Sequence, residues 1–319
     1  MLDPPTPTIL SLGELLVEVM REDIGVPLSM PGRFLGPYAS GAPAIFAHTA
    51  GQLGASVGFV GVCGNDVFGF ECVNKLQQAG VNISHIRTSN GYQTGTAFVS
   101  YKQDGSRQFF FHLRHSAAAL LSENDIDPLW FNHCRWLHVA GSSLALSDSA
   151  KQACYLAIKR AKQAGAVISF DPNLRLELLP LRDIQRLCAP MLDLADVIMP
   201  SGREAALMLG MEELLDSDDE TAARALLRRG VKTVVLKQGA KGCRVFTEDG
   251  AQHVPSILVN EVDPTGAGDA FAAGFAVAQL EGLPLGTSAR FANVTGALSV
   301  TTRGLMEAAI TRAEVESYL

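Results

Sequence analysis

The chain has little charge, little that could cross a membrane and no metal-binding pattern of cysteines. Charged residues make up 18% of its 319 positions, and 33 acidic against 26 basic side chains leave a net charge of −7. Such a balance gives no field to hold a polyanion, so nucleic acid is not an expected partner. No apolar run reaches the roughly 18 to 20 residues that span a bilayer, which excludes a transmembrane helix. The opening residues Met1-Leu2-Asp3-Pro4-Pro5 carry no basic region followed by an apolar stretch, so no signal peptide is expected. Six cysteines (Cys63, Cys72, Cys134, Cys154, Cys188 and Cys243) are scattered without a C-x-x-C pair. That argues against a zinc site or a secreted disulfide framework, and points to a reducing cytoplasm. Also missing are a G-x-x-x-x-G-K-[ST] loop, the H-R-D and D-F-G strings, and a G-x-G-x-x-G between an early strand and helix. P-loop, protein-kinase and dinucleotide-binding readings therefore fall.

What is present is ordinary globular material, 47% apolar with 30 Gly and 15 Pro, long enough for two average domains or one large α/β domain. Short apolar runs bounded by turn signals read as buried parallel strands at 9–17, 56–62, 136–140, 167–170, 197–199 and 233–237. Between them, 43–53, 68–79, 149–163, 219–229 and 270–280 have the length and apolar spacing of helices packed on a sheet. Two segments interrupt this alternation. Residues 25–38 are rich in Gly and Pro, and 94–112 carry β-branched and aromatic residues around an Asp104-Gly105 turn, the pattern of a hairpin. With no repeat or interdomain linker in sight, we expect one domain over 1–319 with a small β lid built from about 25–38 and 94–112.

The most informative string is Asp263-Pro264-Thr265-Gly266-Ala267-Gly268-Asp269, which runs straight into an apolar helix. A small-residue turn at a helix start aims unpaired backbone N–H groups, and the positive end of the helix dipole, at whatever lies in front. Gly266 and Gly268 remove side chains that would hold a phosphate off those amides, and Asp269 places a carboxylate among them. Such a site can take a proton from an attacking hydroxyl while the amides stabilise a phosphoryl group in transfer.

This string resembles the C-terminal signature of the PfkB (ribokinase-like) carbohydrate kinases, and Ser40-Gly41-Ala42-Pro43-Ala44 with Leu53-Gly54 resembles their N-terminal one. Further matches lie in order along nearly the whole chain: Gly61-Val62-Cys63-Gly64-Asn65-Asp66 with Phe68-Gly69, Phe170-Asp171-Pro172-Asn173-Leu174-Arg175, Ala195-Asp196-Val197-Ile198, and Lys237-Gln238-Gly239-Ala240-Lys241-Gly242. The resemblance implies a three-layer α/β/α sandwich with a mostly parallel central sheet and a β lid. It implies ATP and Mg²⁺, admits a monovalent cation, and makes the activity phosphorylation of a sugar hydroxymethyl group. Carried over by position, Asp269 is the base, and Gly266, Ala267 and Gly268 the anion hole. Glu18, Gly41, Ala42 and Arg175 join Asp269 around the sugar. Lys237, Gly239, Gly242 and Asn293 join Gly266 and Gly268 around the nucleotide, and Glu204 acts on Mg²⁺ through water. Pairing of two lids would make a homodimer, with Phe109-Phe110-Phe111 either beneath the lid or at that interface.

The sequence departs from the family at several points. Ser201 stands in the Asn position of an N-x-x-E element that ends at Glu204, Ile45 where many members place a sugar-binding Asn, and Glu18 where others carry Asp. The 171–175 segment resembles the fructokinase and 2-keto-3-deoxygluconate kinase branches. The keto-acid branch, however, has a Tyr-Tyr-Arg where this chain reads Phe111-His112-Leu113, with Arg114 one place out of register. A neutral ketohexose such as fructose or tagatose is therefore favoured over 2-keto-3-deoxygluconate. Arg175 can serve either a substrate oxygen or the ATP phosphates. A non-catalytic sugar or nucleotide binder is the reading from a different class, and Asp269 speaks against it.

Overall fold

A computed structural model describes residues 6–104, 106–174, 178–211, 213 and 219–319. Thirteen strands are found among them: β1 Ile9–Glu14, β2 Leu16–Arg21, β3 Phe34–Ser40, β4 Val57–Gly64, β5 Asn82–Ser89, β6 Gly95–Tyr101, β7 Arg107–His112, β8 Trp136–Ala140, β9 Val167–Asp171, β10 Val197–Ile198, β11 Thr233–Lys237, β12 Cys243–Thr247 and β13 Gly250–Val254. Nine of these make one sheet in the order β13-β12-β11-β10-β9-β8-β1-β4-β5, parallel from β11 through to β5 and closed at the other edge by the antiparallel β12 and β13. β1, β4 and β8 are buried at every residue, as strands covered on both faces must be, which is why they read as continuous apolar runs. Helices Ala42–Gln52, Ala267–Leu280 and Leu285–Ser299 cover one face and Asp148–Gln163, Leu181–Cys188 and Asp219–Arg228 the other, each over its own apolar cluster. The expected three-layer sandwich is the one found.

The remaining four strands form a separate small sheet, β3-β2-β6-β7. Its presence corrects the single strand expected at 9–17. The chain leaves the large sheet after Glu14, whose partner is Val62, and at Leu16 it already pairs with Ser40 and Gly95 of the small sheet. Leu15 is the only residue between the two, and it is buried, so hydropathy shows no break there. The hairpin expected at 94–112 is β6 with β7. In the 25–38 segment only the last part is strand, and the irregular stretch before β3 is held by Arg21, which donates to the carbonyl oxygens of Met30 (2.5 Å) and Pro27 (3.3 Å). Strand alternation splits the phenylalanine run: Phe109 and Phe111 face the large domain, and Phe110 stands outward, 63% exposed.

Asp66 fixes the foot of this hairpin. Its carboxylate caps the helix Val67–Gln78 by accepting from the amides of Phe68 (3.1 Å) and Gly69 (2.8 Å), and it also accepts from the amide and hydroxyl of Thr94, each at 2.8 Å. All six cysteines are buried free thiols. No helix among the described residues is long and apolar enough to cross a membrane.

Candidate active site

The C-terminal ends of β1, β9 and β11 and the start of the helix Ala267–Leu280 meet between the two sheets, where ligands gather in open α/β folds. Gly266 caps that helix in the left-handed conformation, φ 83°, and a Cβ there would stand 3.3 Å from the Ile45 Cδ1. Glycine alone takes that backbone without strain. The Gly266 carbonyl accepts the first helical bonds, from Asp269 (3.1 Å) and Ala270 (2.9 Å). The amides of Ala267 and Gly268, in the first turn, have no helical carbonyl ahead of them and point out of the helix end with its dipole.

Asp269 is 7% exposed, one residue beyond those amides, and its Oδ1 accepts from the Asn173 Nδ2 at 3.4 Å. Asn173 itself adopts a left-handed φ of 40°, which asparagine tolerates better than most residues. Its amide donates to the Asp171 Oδ1 at 3.2 Å. The Asp171 Oδ2 is ion-paired with the Lys237 ammonium, and both groups are buried. A Cβ added at Gly268 would lie 3.2 Å from the Lys237 Nζ, so this cation stands directly beside the first-turn amides. Burial acts to lower the Lys237 pKa, but the carboxylates of Asp171 and Glu204 outweigh it and raise it. Glu204 shifts upward, through burial first and then repulsion from Asp171. Its two oxygens accept from the amides of Leu174 (2.8 Å) and Ser201 (2.7 Å), so it also ties the segment after β9 to the turn after β10.

Two cavities adjoin here. The smaller, about 280 Å³, lies under the small sheet, and its lining includes Glu18, Gly41, Ala42, Gly266 and Asp269. The larger cleft, about 660 Å³, is lined by Gly239, Gly242, Ala267 and Asn293 among others. Lys237, Gly268, Pro264, Ser201 and Arg107 border both, and Glu204 lines the smaller. Of the residues expected around a sugar, Glu18, Gly41, Ala42 and Asp269 line the smaller cavity; of those expected around a nucleotide, Gly239, Gly242 and Asn293 line the larger cleft and Lys237 and Gly268 border both, whereas Gly266 lines only the smaller. Arg175 lies outside the described residues.

Several positions carry roles the sequence did not show. A Cβ at Gly41 would collide with the Glu14 carbonyl, so the backbone crossing itself demands glycine there, at φ 118°. The Asn293 Nδ2 donates to the carbonyls of Val254 (2.9 Å) and Pro255 (3.3 Å), holding the wall of the larger cleft. Glu14, Asp171, Asn173 and Arg107 also line the smaller cavity, and sequence reasoning assigns them no place there. For Asp171 and Asn173 a signal exists, since both belong to the Phe170–Arg175 motif at a strand end. Glu14 accepts hydroxyl donation from Ser142 (2.6 Å) and Ser143 (3.0 Å), 128 and 129 residues away, and nothing local announces it.

A buried carboxylate one residue beyond two first-turn amides thus stands where the smaller cavity meets the larger cleft. The chain belongs to the pfkB family of carbohydrate kinases, whose model matches residues 8–312. Fructokinase-2 of Zea mays is 35% identical over 321 residues, covering 98% of this chain and 93% of that protein. Among solved structures, a putative ribokinase II from E. coli in complex with ATP and Mg²⁺ has a TM-score of 0.88 at 37% identity over 98% of each chain. A Vibrio cholerae fructokinase bound to fructose, ADP and a calcium ion has a TM-score of 0.82 at 27% identity, covering 98% of this chain and 99% of that one.

Proposed function

We propose that this sugar kinase transfers the γ-phosphoryl group of ATP to a hydroxymethyl group of a neutral ketohexose, fructose or tagatose, with Asp269 as the general base. The observation that carries the reading is the place of Asp269 and Gly268 on the wall of the smaller cavity, where it adjoins the larger cleft. A hydroxyl in the smaller cavity loses its proton to the Asp269 carboxylate as its oxygen forms the new P–O bond. The bond to the bridging oxygen of ATP breaks, and ADP leaves with that electron pair. The amides of Ala267 and Gly268, with the Lys237 ammonium beside them, stabilise charge on the group in flight.

Among the described residues no cluster of three or more His, Cys, Asp or Glu side chains is placed to hold a metal ion. Magnesium fits such a site when phosphates and waters supply most of its ligands and one or two carboxylates the rest, and Asp171 and Glu204 are the pair that would face it. Bound there, the ion supplies charge neutralisation on the phosphates. The small sheet, with Phe109 and Phe111 turned inward, would exclude water from the reacting hydroxyl.

The choice of a neutral substrate rests on the cavity wall. Its described residues include the carboxylates of Glu14, Glu18 and Asp269, while Leu113, 2% exposed, stands where a keto-acid kinase carries an arginine. Lys237 is paired with Asp171, and Arg107 lies at the border with the larger cleft. Taking a sugar carboxylate out of water into such a wall is unfavourable without a cation to meet it. The fructokinase relatives and the fructose-bound structure support the same choice. A coupled ADP-release assay across ketohexoses, keto-deoxy sugar acids, ribose, phosphorylated hexoses and nucleosides tests it. We expect the highest kcat/KM with a ketohexose. A keto acid preferred by more than about tenfold, roughly 1.4 kcal/mol of transition-state binding, would overturn the choice.

A further inference from the structure

The turn that leads into the anion cradle is gripped by the small sheet. Tyr101 ends β6, and its hydroxyl lies 2.7 Å from the Asp263 Oδ1 and 2.5 Å from the Thr265 Oγ1. A phenol has one proton to give, and the carboxylate is the stronger acceptor, so Tyr101 donates to Asp263 and the Thr265 hydroxyl donates to Tyr101. Arg107, the register partner of Tyr101 across the hairpin, reaches the same Thr265 Oγ1 with its Nη1 at 3.5 Å. Both sides of the hairpin tip thus close on one residue, the one before Gly266.

Asp263 gathers the rest. Its Oδ1 also accepts the Thr265 amide (3.1 Å), its Oδ2 accepts the Gly304 amide (3.1 Å), and its own amide donates to the Val300 carbonyl (3.1 Å). Asp263 is 4% exposed. A buried, fully engaged carboxylate of this kind holds its neighbours in one arrangement, because losing any donor leaves a desolvated charge short of a partner. Burial and the Asp263 charge both push the Tyr101 pKa upward, so the phenol keeps its proton throughout the working range.

We infer that Tyr101 is a positioning residue of the phosphoryl-transfer site: through Asp263 and Thr265 it sets the geometry of the 266–268 amides, so that the cradle is complete only while the small sheet is seated. The inference builds on the proposed reaction, in which those amides meet the transferring phosphate. It explains how a kinase can link the sugar cavity, roofed by the small sheet, to the readiness of the anion site. ATP arriving without sugar would meet a less ordered cradle.

Tyr101→Phe removes one hydroxyl and keeps the ring. With its lost bond being one to a charged group, kcat should fall by about tenfold, while the KM for sugar stays within about threefold. Sugar phosphate formed per ADP released should drop below the one-to-one ratio of the unmodified enzyme. Hydrogen exchange of the 265–268 amides, measured with a non-hydrolysable ATP analogue bound, should be faster in the variant. Thr265→Val should do the same, and combining it with Tyr101→Phe should add little, because the two hydroxyls act as one unit. Unchanged kcat and unchanged cradle exchange in Tyr101→Phe would overturn the inference. So would a variant whose only defect is a lower melting temperature, since that is a structural role alone. If the unmodified protein phosphorylates none of the sugars tested, the proposed reaction fails, yet the exchange measurement still decides whether Tyr101 orders the cradle.

Discussion

Replacing Asp269 with asparagine is expected to lower kcat by about 10² to 10⁴-fold, the range for loss of a general base. Asparagine is the same size and its carbonyl oxygen can still accept from the Asn173 amide, which now bonds Asp269 at 3.4 Å. The packing at the helix start should therefore survive. What is lost is the capacity to take a proton, together with one negative charge near the Lys237 ammonium, whose pKa that charge helps to raise. Binding of ATP analogues should stay within about threefold, because the amides, the larger cleft and the Asp171–Lys237 pair are untouched. Steady-state kinetics paired with equilibrium binding separates these outcomes. Turnover unchanged in Asp269→Asn would remove the base assignment.

A second large effect is expected from Lys237→Met, this time on stability. Lys237 lies at the end of β11 with its amine against Asp171 at the end of β9, and Glu204 adds a further carboxylate. Removing the cation would leave the buried Asp171 carboxylate without its ion-pair partner and near Glu204, whose upward shift reflects burial first and then repulsion from Asp171. Breaking a buried pair by deleting one partner typically costs about 3–5 kcal/mol, mostly through the charge left behind. Urea denaturation should show a loss of that order, and the double variant Lys237→Met with Asp171→Asn should recover part of it. A loss below about 1 kcal/mol would mean the pair contributes little to holding β9, β10 and β11 in register at the site.

The contrast between what was and was not legible in the sequence follows from range. The glycine turn that starts the helix Ala267–Leu280 was legible because everything it needs is contiguous: two glycines, a carboxylate and an apolar helix within a few residues. The central parallel strands were legible because burial on both faces makes them uniformly apolar. The same uniformity hid the change of sheet at Leu15, where no polar or turn residue marks the crossing. β5 went unnoticed for the opposite reason: at the sheet edge, Asn82–Ser89 has no buried residue, only half-buried and exposed ones, and so shows no apolar run. The hairpin β12–β13 closes the other edge with short strands, one of them largely exposed.

The interactions that finish the site join residues far apart in sequence. Lys237 meets Asp171 across 66 positions, and Tyr101 meets Asp263 across 162. Such pairings depend on strand order and on where the small sheet docks, which no local pattern encodes. The same holds for Ile45. Its position in the motif shows only that an apolar side chain replaces a polar, sugar-binding one. In the fold it is buried and packs against Gly266, so the isoleucine shapes the cradle as well as the cavity.

The central claim is that a sugar hydroxymethyl oxygen attacks the γ-phosphoryl group of ATP in this site, and ³¹P NMR of the complete reaction tests it most directly. With ATP, Mg²⁺ and fructose labelled with ¹³C at its hydroxymethyl carbons, the account predicts one new phosphomonoester for each ADP formed. Its phosphorus should couple to a labelled hydroxymethyl carbon, and the signal should be absent when Asp269→Asn replaces the unmodified protein over the same interval. Orthophosphate as the sole new species, or a sugar phosphate formed equally fast by the Asp269 variant, would contradict it.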